Sequence, residues 1–253
     1  MDLQLTGSRV LVTGGTRGIG RAIVEAFADE GAAVEFCARD AGEIETTEKE
    51  LADRGAGVRG VRVDVRDGAA LRGWVDAAAG RLGGLDAVVA NVSAIAVPDT
   101  EENWYTSFET DLMHTVRLAK AALPHLEASG RGSIVAISSV SGREADFAAG
   151  PYATMKTAIL GYVKGLAYQL AGRGVRANVV SPGNTYFEGG FWHGAEQNMP
   201  DLYASQLAQN PTGRMGTPQE MARAVVFLSS PVSAFTTGTH LLVDGALSHG
   251  IQL

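Results

Sequence analysis

The sequence predicts one α/β domain, in which helices cover both faces of a doubly wound parallel sheet of about seven strands. Apolar β-type runs alternate with helical patterns along the whole chain, residues 1–253, and this alternation is typical of a parallel sheet. Several runs are almost continuously apolar, as in strands that are buried on both faces. Neither a repeat nor a linker interrupts the pattern, so a single domain is predicted.

Seven strands are predicted from apolar runs that turn residues separate. They are Arg9–Thr13, Ala33–Ala38, Val58–Asp64, Leu85–Ala90, Gly132–Ser138, Val175–Val180 and His240–Val243. Helical patterns lie between them, at 19–30, 43–54, 69–81, 101–128, 151–171 and 218–229. Pro151 and Pro218 stand at helix starts, a position that proline favours.

Composition excludes several classes of protein. The apolar fraction of 45% is enough for a buried core, and the net charge of −7 without a basic block disfavours binding to nucleic acid or to a membrane. Cys37 is the one cysteine, so we expect a buried, inert thiol and, without a signal-peptide pattern, a cytoplasmic protein. The five histidines show no metal-ligand spacing, and no metal site is predicted.

The stretch between Pro182 and Thr217 has no clear period and is rich in Asn, Gly, Pro and aromatic residues. An insertion of this length in a compact domain is usually functional, so we predict a substrate lid near residues 184–216. A pair of short helices packed on the surface is the alternative, and the two interpretations are compatible.

A glycine-rich turn, Thr13–Gly20, leads from the first strand into the first helix. Glycines at 14, 18 and 20 permit a tight turn and close approach of a phosphate, and the amide groups at the helix start attract anions. The spacing is G-x-x-x-G-x-G and not G-x-G-x-x-G, and a chance turn is the alternative. Its place after the first strand favours a Rossmann-like dinucleotide site.

The end of the second strand indicates which dinucleotide binds. An acidic residue there would bond the ribose 2′-hydroxyl of NAD, but the chain has Ala38 and then Arg39. The planar guanidinium groups of Arg39 and Arg17 suit a 2′-phosphate, so NADP is the predicted cofactor. The alternatives are that Arg39 is only a solvated charge and that the protein prefers NAD.

Tyr152 and Lys156 lie one turn apart on the same face of a predicted helix. That helix follows the fifth strand, which ends at Ser138 and Ser139. Because ligands of α/β sheets bind beyond the carboxyl ends of the strands, we expect Ser139, Tyr152 and Lys156 to meet there.

Five features follow one another along the chain: Thr13–Gly20, Asn91, Ser139, Tyr152-x-x-x-Lys156 and Pro182-Gly183. In this order they resemble the motifs of the short-chain dehydrogenase/reductase family. The resemblance covers essentially the whole chain and implies hydride transfer between nicotinamide and a carbonyl carbon. It also implies a set of cofactor-binding residues: Gly14, Thr16, Arg17, Gly18, Ile19, Gly20, Arg39, Asp64, Val65, Asn91, Tyr152, Lys156, Gly183 and Thr185.

The same resemblance implies the catalytic roles. Tyr152 would be the general acid and base, and Ser139 would orient the carbonyl group of the substrate. Lys156 would bind the nicotinamide ribose and lower the pKa of the tyrosine through its positive charge. The family also suggests a homotetramer, or a homodimer, built through the long helices near 101–128 and 151–171.

Two positions depart from the family pattern. Ser93 stands where the family usually has glycine, and Asp111 stands where it has a proton-relay asparagine. An ionised Asp111 near Lys156 would partly offset the charge of the lysine, whereas a relay through the Asp111 backbone carbonyl would survive the change. We count Asp111 among the catalytic candidates.

The sequence thus predicts an NADP-dependent oxidoreductase that interconverts a ketone and a secondary alcohol. Aromatic and apolar residues in the predicted substrate pocket favour an apolar or ring-containing substrate. The alternative from another class is a regulatory or scaffold protein that binds NADP without turnover.

Overall fold

Seven strands form one sheet in the computed structural model, which describes residues 2–53 and 57–250. In chain order they are β1 (Arg9–Thr13), β2 (Ala33–Ala38), β3 (Val58–Arg62), β4 (Ala87–Ala90), β5 (Gly132–Ile137), β6 (Val175–Pro182) and β7 (His240–Val243). They lie in the order β3-β2-β1-β4-β5-β6-β7, and adjacent strands are parallel. The predicted single-domain, Rossmann-like sheet is therefore confirmed.

Helices connect the strands within the described residues. They are α1 (Gly18–Asp29), α2 (Ala41–Asp53), α3 (Gly68–Leu82), α4 (Glu101–Ser107), α5 (His114–Ser129), α6 (Pro151–Leu170), α7 (Phe191–Asn198), α8 (Pro200–Ala208) and α9 (Pro218–Ser229). The predicted bounds of α1, α2, α3, α6 and α9 agree with these within two residues, although residue 54, the predicted end of the second helix, lies outside the described residues. No bounds were predicted for α7 and α8. A π-helix, Phe108–Met113, divides the predicted helix 101–128 into α4 and α5.

The buried side chains of the sheet point alternately to two apolar cores. In β1, Leu11 packs into the core beneath α3, α5 and α6. Its neighbours Val10 and Val12 pack into the opposite core, beneath α1, α2 and α9. Because both faces are covered, the central strands are apolar throughout and leave few polar positions away from their ends.

Two further predictions concern Cys37 and membrane association. The Cys37 thiol is fully buried, and burial raises its pKa to about 12, so the thiol is neutral and inert. Within residues 2–53 and 57–250, no helix is both long enough and apolar enough to span a membrane.

An ion cluster joins three strands at their amino ends. Asp86, just before β4, accepts hydrogen bonds from the Arg9 guanidinium on β1 at 2.8 Å. Arg131, just before β5, donates to the same carboxylate at 3.1 and 3.3 Å. Burial alone would raise the pKa of Asp86, but these hydrogen bonds lower it to about 2.

We expect Asp86→Asn to lower the free energy of unfolding by about 2 kcal/mol at neutral pH, because two guanidinium groups lose their charged acceptor. The folded-state pKa lies below the usual 3.8. The contribution of the carboxylate is therefore present above pH 3.8 and is lost as the pH falls toward 2. Urea denaturation at a series of pH values measures this difference.

Asp76→Asn is the matched control, because Asp76 is an exposed carboxylate that pairs only with His125 in the described structure. Its effect should stay within about 0.5 kcal/mol. A difference between the parent and Asp86→Asn that stays constant down to pH 2 would contradict the assigned pairing.

Candidate active site

A cavity of about 880 Å³ opens at the carboxyl ends of the strands. The chain leaves β1 toward β2 and returns to β4 on the other side, and such a reversal creates the crevice in which α/β sheets bind ligands. Most predicted site residues line it: Gly14, Thr16, Arg17, Ile19, Gly20, Arg39, Asp64, Val65, Asn91, Ser139, Tyr152, Lys156, Gly183 and Thr185. Gly18 and Asp111 are the predicted residues outside this lining.

The glycine turn brings the backbone of α1 close to the sheet. Gly14 has a φ of +72°, which glycine adopts without strain. A β-carbon at Gly20 would lie 1.9 Å from the Gly14 carbonyl oxygen, so this contact requires glycine. Arg17 precedes α1 without a side-chain hydrogen bond to the helix start. The turn therefore offers free amide groups and space to a diphosphate.

The end of β2 carries charges of both signs. Arg39 and Arg17 are exposed at the rim of the cavity, as the predicted 2′-phosphate site requires. Glu43 also lines the cavity, and its Oε2 accepts a 2.7 Å hydrogen bond from the Thr16 hydroxyl. Sequence reasoning missed Glu43, although its place in the first turn of α2 is a signal that it faces the same loop.

Asp64 and Val65 follow β3 at the predicted adenine end of the cavity. Arg66 donates to both oxygens of Asp64, at 2.6 to 3.1 Å. These hydrogen bonds lower the pKa of the Asp64 carboxyl group, which is therefore ionised at neutral pH. Val65 is buried and forms an apolar part of the cavity wall.

Ser139, Tyr152 and Lys156 all line the cavity, as predicted. Ser139 follows β5, and its Oγ accepts a hydrogen bond from the Ser141 amide at 3.2 Å. Tyr152 stands in the first turn of α6, and the Lys156 Nζ lies 5.6 Å from the centre of its ring. The Ser138 hydroxyl donates to the Lys156 carbonyl oxygen at 2.8 Å and so ties α6 to the end of β5.

Asp111 lies in the π-helix, behind the wall of the cavity, and is fully buried. Its Oδ1 lies 3.1 Å from the Lys156 Nζ and accepts a 2.5 Å hydrogen bond from the Ser93 hydroxyl. The structure thus brings together Asp111 and Lys156, the pair that the sequence suggested. The Asp111 backbone carbonyl accepts a hydrogen bond from the Thr115 hydroxyl at 2.8 Å.

A buried hydrogen-bonded group that the sequence analysis overlooked supports the glycine turn. The Thr13 hydroxyl lies 2.9 Å from the His114 Nε2 and accepts from the Asn91 amide at 3.0 Å. The Asn91 side chain donates to the backbone carbonyls of Thr13 and Gly14. Burial, followed by the charge of Lys156, lowers the pKa of His114 to about 3, so the imidazole is neutral.

The aperiodic stretch after β6 forms the short helices α7 and α8, so the helical-pair alternative describes its structure. Thr185 forms a parallel bridge with Gly216, and its hydroxyl donates to the Gly183 carbonyl at 3.0 Å. From α7, Phe191 and Trp192 line the cavity and pack against Phe147, with ring centres 6.1 and 5.4 Å apart. This segment therefore adds an aromatic wall to the cavity that Ser139, Tyr152 and Lys156 also line.

Phe187, from the same segment, reaches the cofactor turn. A β-carbon at Gly18 would lie 2.5 Å from the Phe187 ring, so the ring lies directly against this glycine. Phe187 itself lines the cavity, whereas Gly18 does not. In the part of the chain that the structure describes, His, Cys, Asp and Glu residues form no group that could hold a metal ion.

Comparisons with known proteins agree with this geometry. A family model described as enoyl-(acyl carrier protein) reductase matches residues 14–248. The chain is 40% identical over 255 residues to the isoepoxydon dehydrogenase patN of Aspergillus clavatus, and the match covers 98% of each protein. It is 39% identical to the L-fucose dehydrogenase of Bos taurus, over 99% of this chain and 93% of that one.

A solved structure resembles the whole fold. An NADPH-bound short-chain oxidoreductase from Pseudomonas aeruginosa, described as containing an atypical catalytic center, matches with a TM-score of 0.88 and 33% identity. The match covers 97% of this chain and 99% of that chain. The motifs, the sheet order and these relatives lead to one conclusion: the chain belongs to the short-chain dehydrogenase/reductase family of oxidoreductases.

Proposed function

We propose that the protein is an NADP-dependent oxidoreductase that interconverts a ring-containing or apolar ketone and its secondary alcohol. One observation carries the proposal: Tyr152 and Lys156 stand in the wall of the same cavity that the glycine turn opens into. When bound, the nicotinamide supplies or accepts the hydride. Proton transfer then has to come from the protein.

The roles of the side chains follow from their positions. Tyr152 donates its proton to the carbonyl oxygen during reduction and receives it during oxidation. Ser139, at the end of β5, hydrogen-bonds that oxygen and orients it. Lys156 is held by the Ile137 carbonyl at 3.1 Å and presents its charge to the tyrosine ring and to the nicotinamide ribose.

The preference for NADP is supported by Arg39 and Arg17 at the rim of the cavity, where a 2′-phosphate would meet both. The NADPH-bound Pseudomonas aeruginosa structure is consistent with it. Glu43 argues against a preference for NADP, because its carboxylate repels a phosphate. One oxygen of this carboxylate accepts a hydrogen bond from the Thr16 hydroxyl. The other assigned contacts are Asp64 and Val65 at adenine and Thr185 at the nicotinamide carboxamide.

A ring-containing substrate is supported by the aromatic wall of Phe147, Phe191 and Trp192. Flat aromatic faces suit a flat or cyclic partner better than a long flexible chain. Two relatives are named for the dehydrogenation of isoepoxydon and of L-fucose. In this proposal α7 and α8 act as the lid over the substrate.

The family assembly, a homotetramer or homodimer, is part of the proposal. Trp104 and Tyr105 on α4, with Phe108 at the start of the π-helix, are partly or largely exposed. Tyr168 on α6 is 90% exposed. Exposed aromatic groups on the long helices are the type of surface that self-association buries.

Tyr152→Phe should reduce kcat by at least about 100-fold, because it removes the proton donor and leaves the ring in place. NADPH binding, measured by fluorescence titration, should change little. The assay follows NADPH absorbance over a panel of cyclic and aromatic ketones, and follows alcohol oxidation with isoepoxydon and L-fucose. Undiminished turnover in the variant would refute the assigned role.

Tyr162→Phe is the control on the same helix, because its hydroxyl has no hydrogen-bond partner among the described residues. Its kcat should match that of the parent. Tight NADPH binding by the parent with no turnover of any carbonyl or alcohol in the panel would favour the alternative function, a nucleotide-binding regulatory or scaffold protein.

Arg39→Asp should lower kcat/KM for NADPH at least about tenfold and raise the NADH-to-NADPH ratio, because it replaces a phosphate-binding cation with an anion. Glu43→Gln should raise kcat/KM for NADPH and lower the NADH-to-NADPH ratio. Arg72→Asp, at an exposed position of α3 outside the cavity, is the charge-matched control. An unchanged ratio in Arg39→Asp would show that Arg39 does not select the cofactor.

Light scattering should give the parent protein a molar mass that is a multiple of the chain mass. Replacing both Tyr105 and Phe108 with Glu should lower this mass toward that of a smaller assembly, because the two introduced charges resist burial in an interface. Ala77→Glu, on the exposed face of α3, should leave the mass unchanged. A parent protein that is already monomeric would contradict the proposed assembly.

A further inference from the structure

The two residues that depart from the family pattern contact each other. The Ser93 hydroxyl donates to the Asp111 Oδ1 at 2.5 Å, although 17 residues separate them in the chain. Ser93 follows β4 and lines the cavity, whereas Asp111 lies behind the wall in the π-helix. One hydrogen bond therefore connects the cavity to the interior.

Asp111 in turn contacts the buried lysine. Its Oδ1 lies 3.1 Å from the Lys156 Nζ, and its Oδ2 accepts from the Ala94 amide at 3.3 Å. The side chains of Asp111 and Lys156 are 0% and 2% exposed. A buried ammonium is costly without an anionic partner, and the other group that accepts from Lys156, the Ile137 carbonyl, is neutral.

We propose that Ser93 and Asp111 are a coupled pair of positioning residues, in which the Ser93 hydroxyl holds the Asp111 carboxylate against the Lys156 ammonium and thereby sets the electrostatic environment of Tyr152. This inference rests on the proposed function, because it assigns roles around the same Tyr152 and Lys156. The pair acts through Lys156 and has no direct contact with the reacting atoms.

The contacts explain why the two residues depend on each other. Without the Ser93 hydroxyl, the Asp111 Oδ1 keeps only the lysine, and the remaining anchor of the carboxylate is the longer bond from the Ala94 amide. Without the carboxylate, the Ser93 hydroxyl keeps only the Ile95 amide, which donates to it at 3.3 Å. A buried carboxylate that loses a short hydrogen bond is free to shift, and Lys156 shifts with it.

Charge is the second part of the argument. Three ionisable groups surround the Lys156 ammonium among the described residues: Tyr152 on its own helix, Asp111 on the π-helix and His114 on α5. The imidazole of His114 is neutral and adds no charge, and among these three groups the Asp111 carboxylate is the one that offsets the lysine. Removal of this anion leaves the lysine charge uncompensated next to the tyrosine, and that charge favours the phenolate.

A double-mutant cycle tests the coupling with four proteins: the parent, Ser93→Ala, Asp111→Asn and the double variant. In the Asp111 background, Ser93→Ala should lower kcat/KM for carbonyl reduction by NADPH about tenfold. In the Asp111→Asn background the same change should cost less than about twofold. Ser133→Ala is the control for loss of packing, because it removes a buried hydroxyl at the start of β5, whereas Lys156 contacts the last residue of that strand.

A second readout needs no substrate. Tyrosinate absorbance is recorded against pH for each protein, and the signal of the matching Tyr152→Phe variant is subtracted so that Tyr152 alone is followed. Asp111→Asn should move this titration to lower pH, because the anion that offsets the lysine charge is removed. Ser93→Ala should move it only where Asp111 is present. A residue with a purely structural role would leave the titration in place.

Two outcomes would overturn the inference: equal losses for Ser93→Ala in both backgrounds, or a Tyr152 titration that Asp111→Asn does not move. Failure of the proposed function looks different. A parent without turnover that still shows the expected titration shifts would refute the proposed reaction and leave the coupled pair supported.

Discussion

The buried charge of Lys156 is the constraint on which the arrangement of the site depends. An ammonium group in the interior needs acceptors, and it finds them in the Ile137 carbonyl at the end of β5 and in Asp111 of the π-helix. Lys156 thus holds three elements together: the end of β5, the π-helix and its own helix, α6. Tyr152 lies one helical turn from this lysine on α6.

The cavity changes in character along its length. Charged groups of both signs surround the end where the cofactor's adenosine is proposed to bind, among them Arg39 and Glu43. Aromatic rings surround the other end, where Phe147 packs against α7. Phe187 links the two, because it belongs to the segment that carries α7 and lies against Gly18 of the cofactor turn. The segment after β6 therefore lines both proposed binding regions as one continuous wall.

Short, nearly continuous apolar runs were enough to predict the sheet, because strands that are buried on both faces need apolar residues throughout. The π-helix was not predictable, since a hydrogen-bond shift of one residue leaves no mark on the apolar pattern around Asp111. The contact between Ser93 and Asp111 depends on tertiary packing, and so does the position of Glu43. A helical pair was only an alternative for the stretch that holds α7 and α8, and its bounds were not predictable, because the few buried residues, such as Trp192, define no period.

The amino and carboxyl edges of the sheet hold different kinds of interaction. The Arg9, Asp86 and Arg131 cluster, which joins strands, lies at the amino edge. The cavity, with Ser139, Tyr152 and Lys156 in its wall, lies at the carboxyl edge. Covalent attachment of the protein to a solid support through side chains near the amino edge would consequently leave the cavity open to solution. The same separation permits redesign of the amino edge for heat resistance without a change to the residues that line the cavity.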